Sequence, residues 1–211
     1  MNIKSKKSIK CLLVVMLLFC SMSIKTVNAT ETVKNPFEDT TEIEAMIERA
    51  RNSSVVLDKN QISRAEVGSY PTRKGVILVT PDKYKGIVPL GHAAIVYSSG
   101  TVVESLSQGV VQGLNNWNVS KNEAYGVSVL STTATQDAAA ADYCYGKIGC
   151  PYNTDYYNVN TRIYFYCSQL VWAAYKDLYS IDLNTSAYGT AIHPLELRDT
   201  SLTATIYKKT P

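Results

Sequence analysis

The chain has 211 residues, 21 basic, 18 acidic and two histidine, with a net charge of +3. That balance gives no basic excess of the kind a nucleic-acid surface needs. Two histidines and the lack of any Cys-x-x-Cys leave no metal-ligand spacing, and no cofactor is expected.

The chain opens with Lys4, Lys6, Lys7 and Lys10 and no acid, followed by the apolar run 11–20 and then Val27-Asn28-Ala29. A basic start, a short apolar stretch and small side chains at a cleavage point predict a secretory signal peptide over residues 1–29. The apolar run is about ten residues long, and a membrane anchor needs roughly 20. A lipoprotein site is disfavoured because bulky Leu18 and Phe19 precede Cys20. The mature chain is therefore expected outside the cytoplasm, secreted or associated with the cell wall, with no stable membrane anchor. Five lysines leave with the leader, so 16 basic residues face 18 acidic ones, a net charge of −2. About 180 residues remain, enough for one domain with a packed core.

Residues 30–66 read as an N-terminal extension. It contains a helix capped by Asp39 or Thr40 and running to about Arg51, with Ile43, Met46, Ile47 and Ala50 on one stripe. The domain proper is placed at 67–211. Residues 75–80, Gly-Val-Ile-Leu-Val-Thr, form a strand by their β-branched content. Residues 91–97 and 101–106 flank Ser98-Ser99-Gly100 and predict a hairpin with a three-residue loop. In that register His92 faces Leu106, and Glu104 is its diagonal neighbour on the same sheet face. A two-residue loop would set His92 and Glu104 on opposite faces.

Residues 124–130 predict another strand. Thr135 to Cys144 is an alanine-rich helix with a threonine cap, ended by Gly146 or Gly149. A tyrosine-rich loop opens at Pro151. A second strong helix begins at Cys167, with Leu170, Val171, Ala174 and Leu178 on its apolar stripe, and Ile206-Tyr207 sits in a short terminal strand.

Three cysteines lie beyond the leader: Cys144, Cys150 and Cys167. An odd count implies an unpaired thiol or an intermolecular bridge. A Cys144–Cys150 disulfide is one candidate, with Cys167 left over. A helix running through both would hold their Cα atoms about 9 Å apart, beyond the roughly 4.4–6.8 Å a bridge accepts. Gly146 and Gly149 would have to fold the chain back.

Cys167 stands where a loop becomes a helix. Free backbone N–H groups and the positive end of the helix dipole favour thiolate there, and the same N–H groups suit an oxyanion. A buried structural cysteine is the plain alternative. A cysteine nucleophile needs a base, and the base an orienting group. His92 has Glu104 on its own face. His193 precedes Pro194 in a loop and has no comparable acid nearby in sequence.

Four segments then occur in a telling order: Gly91-His92-Ala-Ala-Ile-Val-Tyr with Val-Val-Glu104-Ser, Gly149-Cys-Pro-Tyr152-Asn153, Phe165-Tyr-Cys167-Ser-Gln-Leu-Val, and Ile192-His-Pro194-Leu-Glu-Leu197. Together they resemble the permuted NlpC-type, YiiX-like papain-fold cysteine hydrolases, in which the cysteine comes last. The chain is similar more distantly to lecithin:retinol acyltransferases, where a second histidine stands twelve residues after the first; here that position is Glu104. The resemblance spans roughly residues 67–207. It implies an α+β papain-like fold, an antiparallel sheet packed on helices, with Cys167 as nucleophile, His92 as base and Glu104 as third member. It also implies a phenol near the oxyanion, which carries over to Tyr152, although Cys150 departs from the usual residue before Pro-Tyr.

The expected reaction is amide hydrolysis through an acyl-enzyme. The expected substrates are peptidoglycan stem peptides or N-acyl amino acid and lipid-like amides. Tyr97, Trp117 and the tyrosines from 152 to 166 are candidates to line the groove. An acyltransferase with the same triad and a non-catalytic wall- or lipid-binding module are the rival readings. The first would need an acceptor amine or alcohol, and the second would leave Cys167 no more reactive than a free thiol.

Overall fold

The computed structural model describes residues 35–38, 40–56, 68–83 and 90–211. The expected leader at 1–29 and the domain boundary at Val67 fall outside them. Residues 33–211 form one compact unit.

Among the described residues, six strands make a single antiparallel sheet. They are β1 (Ile77–Thr80), β2 (His92–Ser98), β3 (Thr101–Leu106), β4 (Gly109–Leu114), β5 (Ala124–Val129) and β6 (Thr203–Lys209), in the order β4-β3-β2-β1-β5-β6. All four residues of β1 are buried, as expected for a central strand covered on both faces. Side chains of alternating parity then divide the sheet. Ile77, Val79, Ala93, Ile95, Val103 and Val127 face one core, against α3 (Ala134–Tyr145) and α4 (Cys167–Tyr179). Val76, Leu78, Ala94, Val96 and Val102 face a second, thinner core closed by Trp117 and Tyr207. Trp117 opens the short helix α2 (Trp117–Ser120).

α1 (Thr40–Asn52) buries Ile43, Met46 and Ala50, the stripe expected from sequence. Its arginines reach Asp199 and Glu123 at 2.8 and 2.7 Å, the former in the short helix α5 (Glu196–Asp199). Both guanidinium groups are over 40% exposed, so the apolar stripe contributes more than these pairs.

The α3 helix starts one residue before Thr135. Its cap is Thr133, in a capping box with Gln136, and Gly146 ends it. The Cys144–Cys150 disulfide is not formed, and both residues are free thiols. The helix directs Cys144 inward, where its Sγ lies 3.7 Å from the Leu170 carbonyl. The turn after Gly146 carries Cys150 to the sheet edge, where its carbonyl accepts the Val110 N–H at 2.8 Å.

The hairpin reaches its expected register by an unexpected route. Ser98 pairs with Thr101 across a two-residue loop, while Ala94 pairs with Glu104, and the register shifts between Val96 and Ser98. Tyr97 is the extra residue of a β-bulge. The bulge cancels the face inversion that a plain two-residue loop would impose, so His92 and Glu104 stay on one face.

Candidate active site

α4 begins at Cys167, and four hydrogen bonds hold its first turn in place. Gln169, fully buried, accepts from the Tyr166 N–H at 3.2 Å and from Asn153 Nδ2 at 2.9 Å. Ser168 Oγ donates to the Ile192 carbonyl and Ser105 Oγ to the Phe165 carbonyl, both at 2.6 Å. The second bond ties the residues before Cys167 to β3, beside Glu104. Residues 151–153 run along Phe165, with Asn153 N–H donating to its carbonyl and Phe165 N–H to that of Pro151. This pairing sets Tyr152 beside Cys167. Ser105, Asn153 and Gln169 therefore position the site, although sequence reasoning assigned them no role. Asn153 and Gln169 stand within the quoted motifs, and that spacing was the available signal.

His92 opens β2 at the end of the sheet. Its Nε2 and Glu104 Oε2 are 2.6 Å apart, with side-chain exposures of 15% and 12%. The ring stacks on Trp117 with centroids 5.4 Å apart at 27°. The Cys167 sulfur is an electrostatic neighbour of the same ring, and both line one cavity. Burial works against charge on both groups, but their mutual attraction prevails. His92, held by the Cys167 thiolate and then by Glu104, is pushed up to about 9. Cys167 is lowered from its ordinary value by the His92 imidazolium and by the N–H groups of Ala93 and Ser168. The pair is therefore biased toward thiolate and imidazolium. Burial, reinforced by the nearby thiolate, pushes the Tyr152 phenol far up, so it stays protonated and able to donate.

These groups border a cavity of 680 Å³ lined by Cys167, His92, Tyr152, Leu106, Tyr156 and Phe37 among others. Among the described residues, no Lys, Arg, Asp or Glu lines it. Of the aromatic candidates, Tyr152, Tyr156 and Tyr166 do line it. Trp117 instead lies behind His92, buried in the second core. Tyr97, extruded by the bulge, stacks on Tyr145 at 4.3 Å. His193 is buried and packs edge-on to Phe37, with its Nδ1 accepting the Leu195 N–H at 3.2 Å. It is a structural neighbour of the cavity wall.

A helix-borne thiol set against a strand-borne imidazole and its carboxylate is the arrangement of papain-like cysteine enzymes, here with the histidine strand preceding the cysteine helix. Residues 87–195 match the permuted papain-like amidase enzymes of the YaeF/YiiX, C92 family, and the chain belongs to that family. It is 31% identical over 140 residues to the uncharacterized protein YycO of Bacillus subtilis strain 168, covering 63% of this chain and 55% of that protein. The chain thus spans about half the length of that relative. The structure of yiiX from Escherichia coli O157:H7, described as a metalloprotein, shares the fold at a TM-score of 0.52 and 15% identity, over 68% of this chain and all of that one. Among the described residues here, no group of three His, Cys, Asp or Glu side chains is placed to hold a metal ion.

Proposed function

We propose that the chain hydrolyses an amide whose acyl group is neutral and apolar, using Cys167, His92 and Glu104. One observation carries this reading: His92, held by the Glu104 carboxylate, and Cys167 line the same largely apolar cavity and act on each other electrostatically. The thiolate attacks the carbonyl carbon, an S–C bond forms, and the carbonyl electron pair moves to oxygen. In this reading the Ser168 N–H and the Tyr152 hydroxyl, both neighbours of the sulfur, stabilise that charge. Collapse breaks the C–N bond, and His92 gives its proton to the departing amine. Water then attacks the thioester carbon as His92 takes its proton, and collapse breaks the S–C bond, releasing the carboxylic acid and returning the Cys167 thiolate beside protonated His92. Glu104 holds the ring and its charge throughout.

Among the described residues the lining holds no Lys or Arg, and this supports an N-acyl or lipid-like amide over a stem peptide, whose carboxylates would call for a cationic partner. Export after loss of residues 1–29 is part of the proposal and rests on the basic, then apolar, then small-residue order of the leader. Incubation with N-acyl amino acids and muropeptides, read by mass spectrometry, tests the reaction. The expected result is an acyl adduct on Cys167 and release of the free amine from the N-acyl series without any added acceptor. Release only with an added amine or alcohol would make it a transferase. An unacylated Cys167 that alkylates no faster than Cys150 would refute the catalytic reading.

A further inference from the structure

Phe37 lies fifty residues before the stretch that matches the family, yet its ring forms part of the cavity wall. The ring is 3% exposed and sits edge-on to Tyr156, Tyr188 and His193, with centroids 5.4, 5.1 and 5.0 Å away. Its place is held from both sides. The Phe37 N–H donates to Asn35 Oδ1 at 3.0 Å within a single tight turn, Pro36–Glu38. Just after it, α1 is anchored by Ile43, Met46 and Ala50. Arg198 donates to the Arg49 carbonyl at 3.3 Å on the far side of the same helix. The segment is a built part of the domain, and it supplies a bulky apolar group to a cavity that also holds Cys167.

We propose that Phe37 is a specificity-determining residue: its ring closes the cavity and limits the length of acyl chain that can be seated beside Cys167. This rests on the reading that an apolar acyl group enters the cavity. Shortening the side chain would lengthen the space available, and each further methylene admitted would raise kcat/KM about fourfold. A bulkier ring would have the opposite effect.

The test is a series of straight-chain N-acyl amides of increasing length, assayed on the wild-type protein and on Phe37→Leu, Phe37→Ala and Phe37→Trp. Alkylation of Cys167 by iodoacetamide, too small to feel the length of the cavity, is measured in parallel. The expected outcome is an optimum that moves to longer chains in the Leu and Ala variants and to shorter chains in the Trp variant. The change should lie in the dependence of kcat/KM on length. If the Ala variant does not fold, the Leu and Trp variants still give opposite shifts. An unchanged length preference in folded variants overturns the role of Phe37 and leaves the thiolate reading intact. A wild-type protein that alkylates rapidly but processes no acyl amide overturns the acyl reading and this proposal with it.

Discussion

Gly113 leaves the space that the Glu104 carboxylate occupies: a methyl group on Gly113 would stand 1.9 Å from Glu104 Oε1. The two residues lie on neighbouring strands, where Val111 pairs with Glu104 and Gly113 with Val102. A glycine at that point lets the carboxylate lie flat against β4 and still reach His92.

Gly113→Ala should therefore cost activity more than stability, because the atom that must yield is the free end of a flexible side chain. Hydrogen bonds to charged groups contribute about 1.5–3 kcal/mol. Full loss of the carboxylate contact would then lower kcat/KM roughly 10- to 100-fold. Glu104→Gln sets that limit, and Gly113→Ala should approach it with a near-normal urea midpoint. Unchanged kinetics in both would place the orienting group elsewhere. Asn115 is not free for that role, because its side chain is engaged by the Tyr70 hydroxyl at 2.6 Å and by the Pro71 carbonyl at 3.0 Å.

The pH profile of Cys167 reactivity follows from the direction of two shifts. Activity needs a deprotonated sulfur and a protonated ring. Rate should rise with pH through the lowered Cys167 titration and fall as His92 loses its proton near pH 9. The two limbs belong to the coupled pair. In Glu104→Gln the ring loses one support for its charge, so the descending limb of kcat/KM should move to lower pH. A limb that stays at the wild-type position would show that Glu104 does not act through His92.

Much of this arrangement is legible in the sequence, and the parts that are not have identifiable causes. The helix at Cys167 and the strand at His92 announce themselves by apolar period. β4 does not, because Gly109 and Gly113 dilute its β-forming content. Both glycines are required by contact: Gly113 by Glu104, and Gly109 by the Cys150 carbonyl, which a Cβ would meet at 2.4 Å with φ at +107°. The loop length is also hidden. A bulge at Tyr97 has no pattern of its own, and its partners, the Tyr145 ring and the Lys74 ammonium 4.3 Å from its centroid, are distant in sequence. The hairpin register is the expected one at His92 only because two departures at the tip cancel.

Stability should depend on a buried cluster away from the cavity. Asp137, nearly fully buried, accepts from Arg73 at 2.8 Å, Thr132 at 2.5 Å and Tyr175 at 3.3 Å. It thereby joins α3 and α4 to the start of β1. Removing one side of a buried ion pair costs about 3–5 kcal/mol, so Asp137→Ala should lower the urea midpoint sharply. Gly75 adopts φ +91°, and a Cβ would lie 2.3 Å from the Asp137 carbonyl carbon and oxygen. Gly75→Ala should cost about 2 kcal/mol or more. A midpoint within error of wild type for either would remove the cluster from the account.

The three thiols among the described residues should separate cleanly by rate. Cys167 is held toward thiolate by His92 and retains 8% exposure at the cavity. Cys150 is half-buried without that support. Cys144 is fully buried, and burial pushes its thiol far up. Alkylation of the native protein without reductant, followed by peptide mass spectrometry, should label Cys167 first, Cys150 slowly and Cys144 only after denaturation. All three should take up the reagent in the end, because none is bridged. His92→Ala should slow the Cys167 step and leave Cys150 as it was, since the ring supports the charge of Cys167 alone. Equal rates at Cys167 and Cys150 in the wild-type protein would mean that the imidazole does not activate the sulfur, whatever their separation.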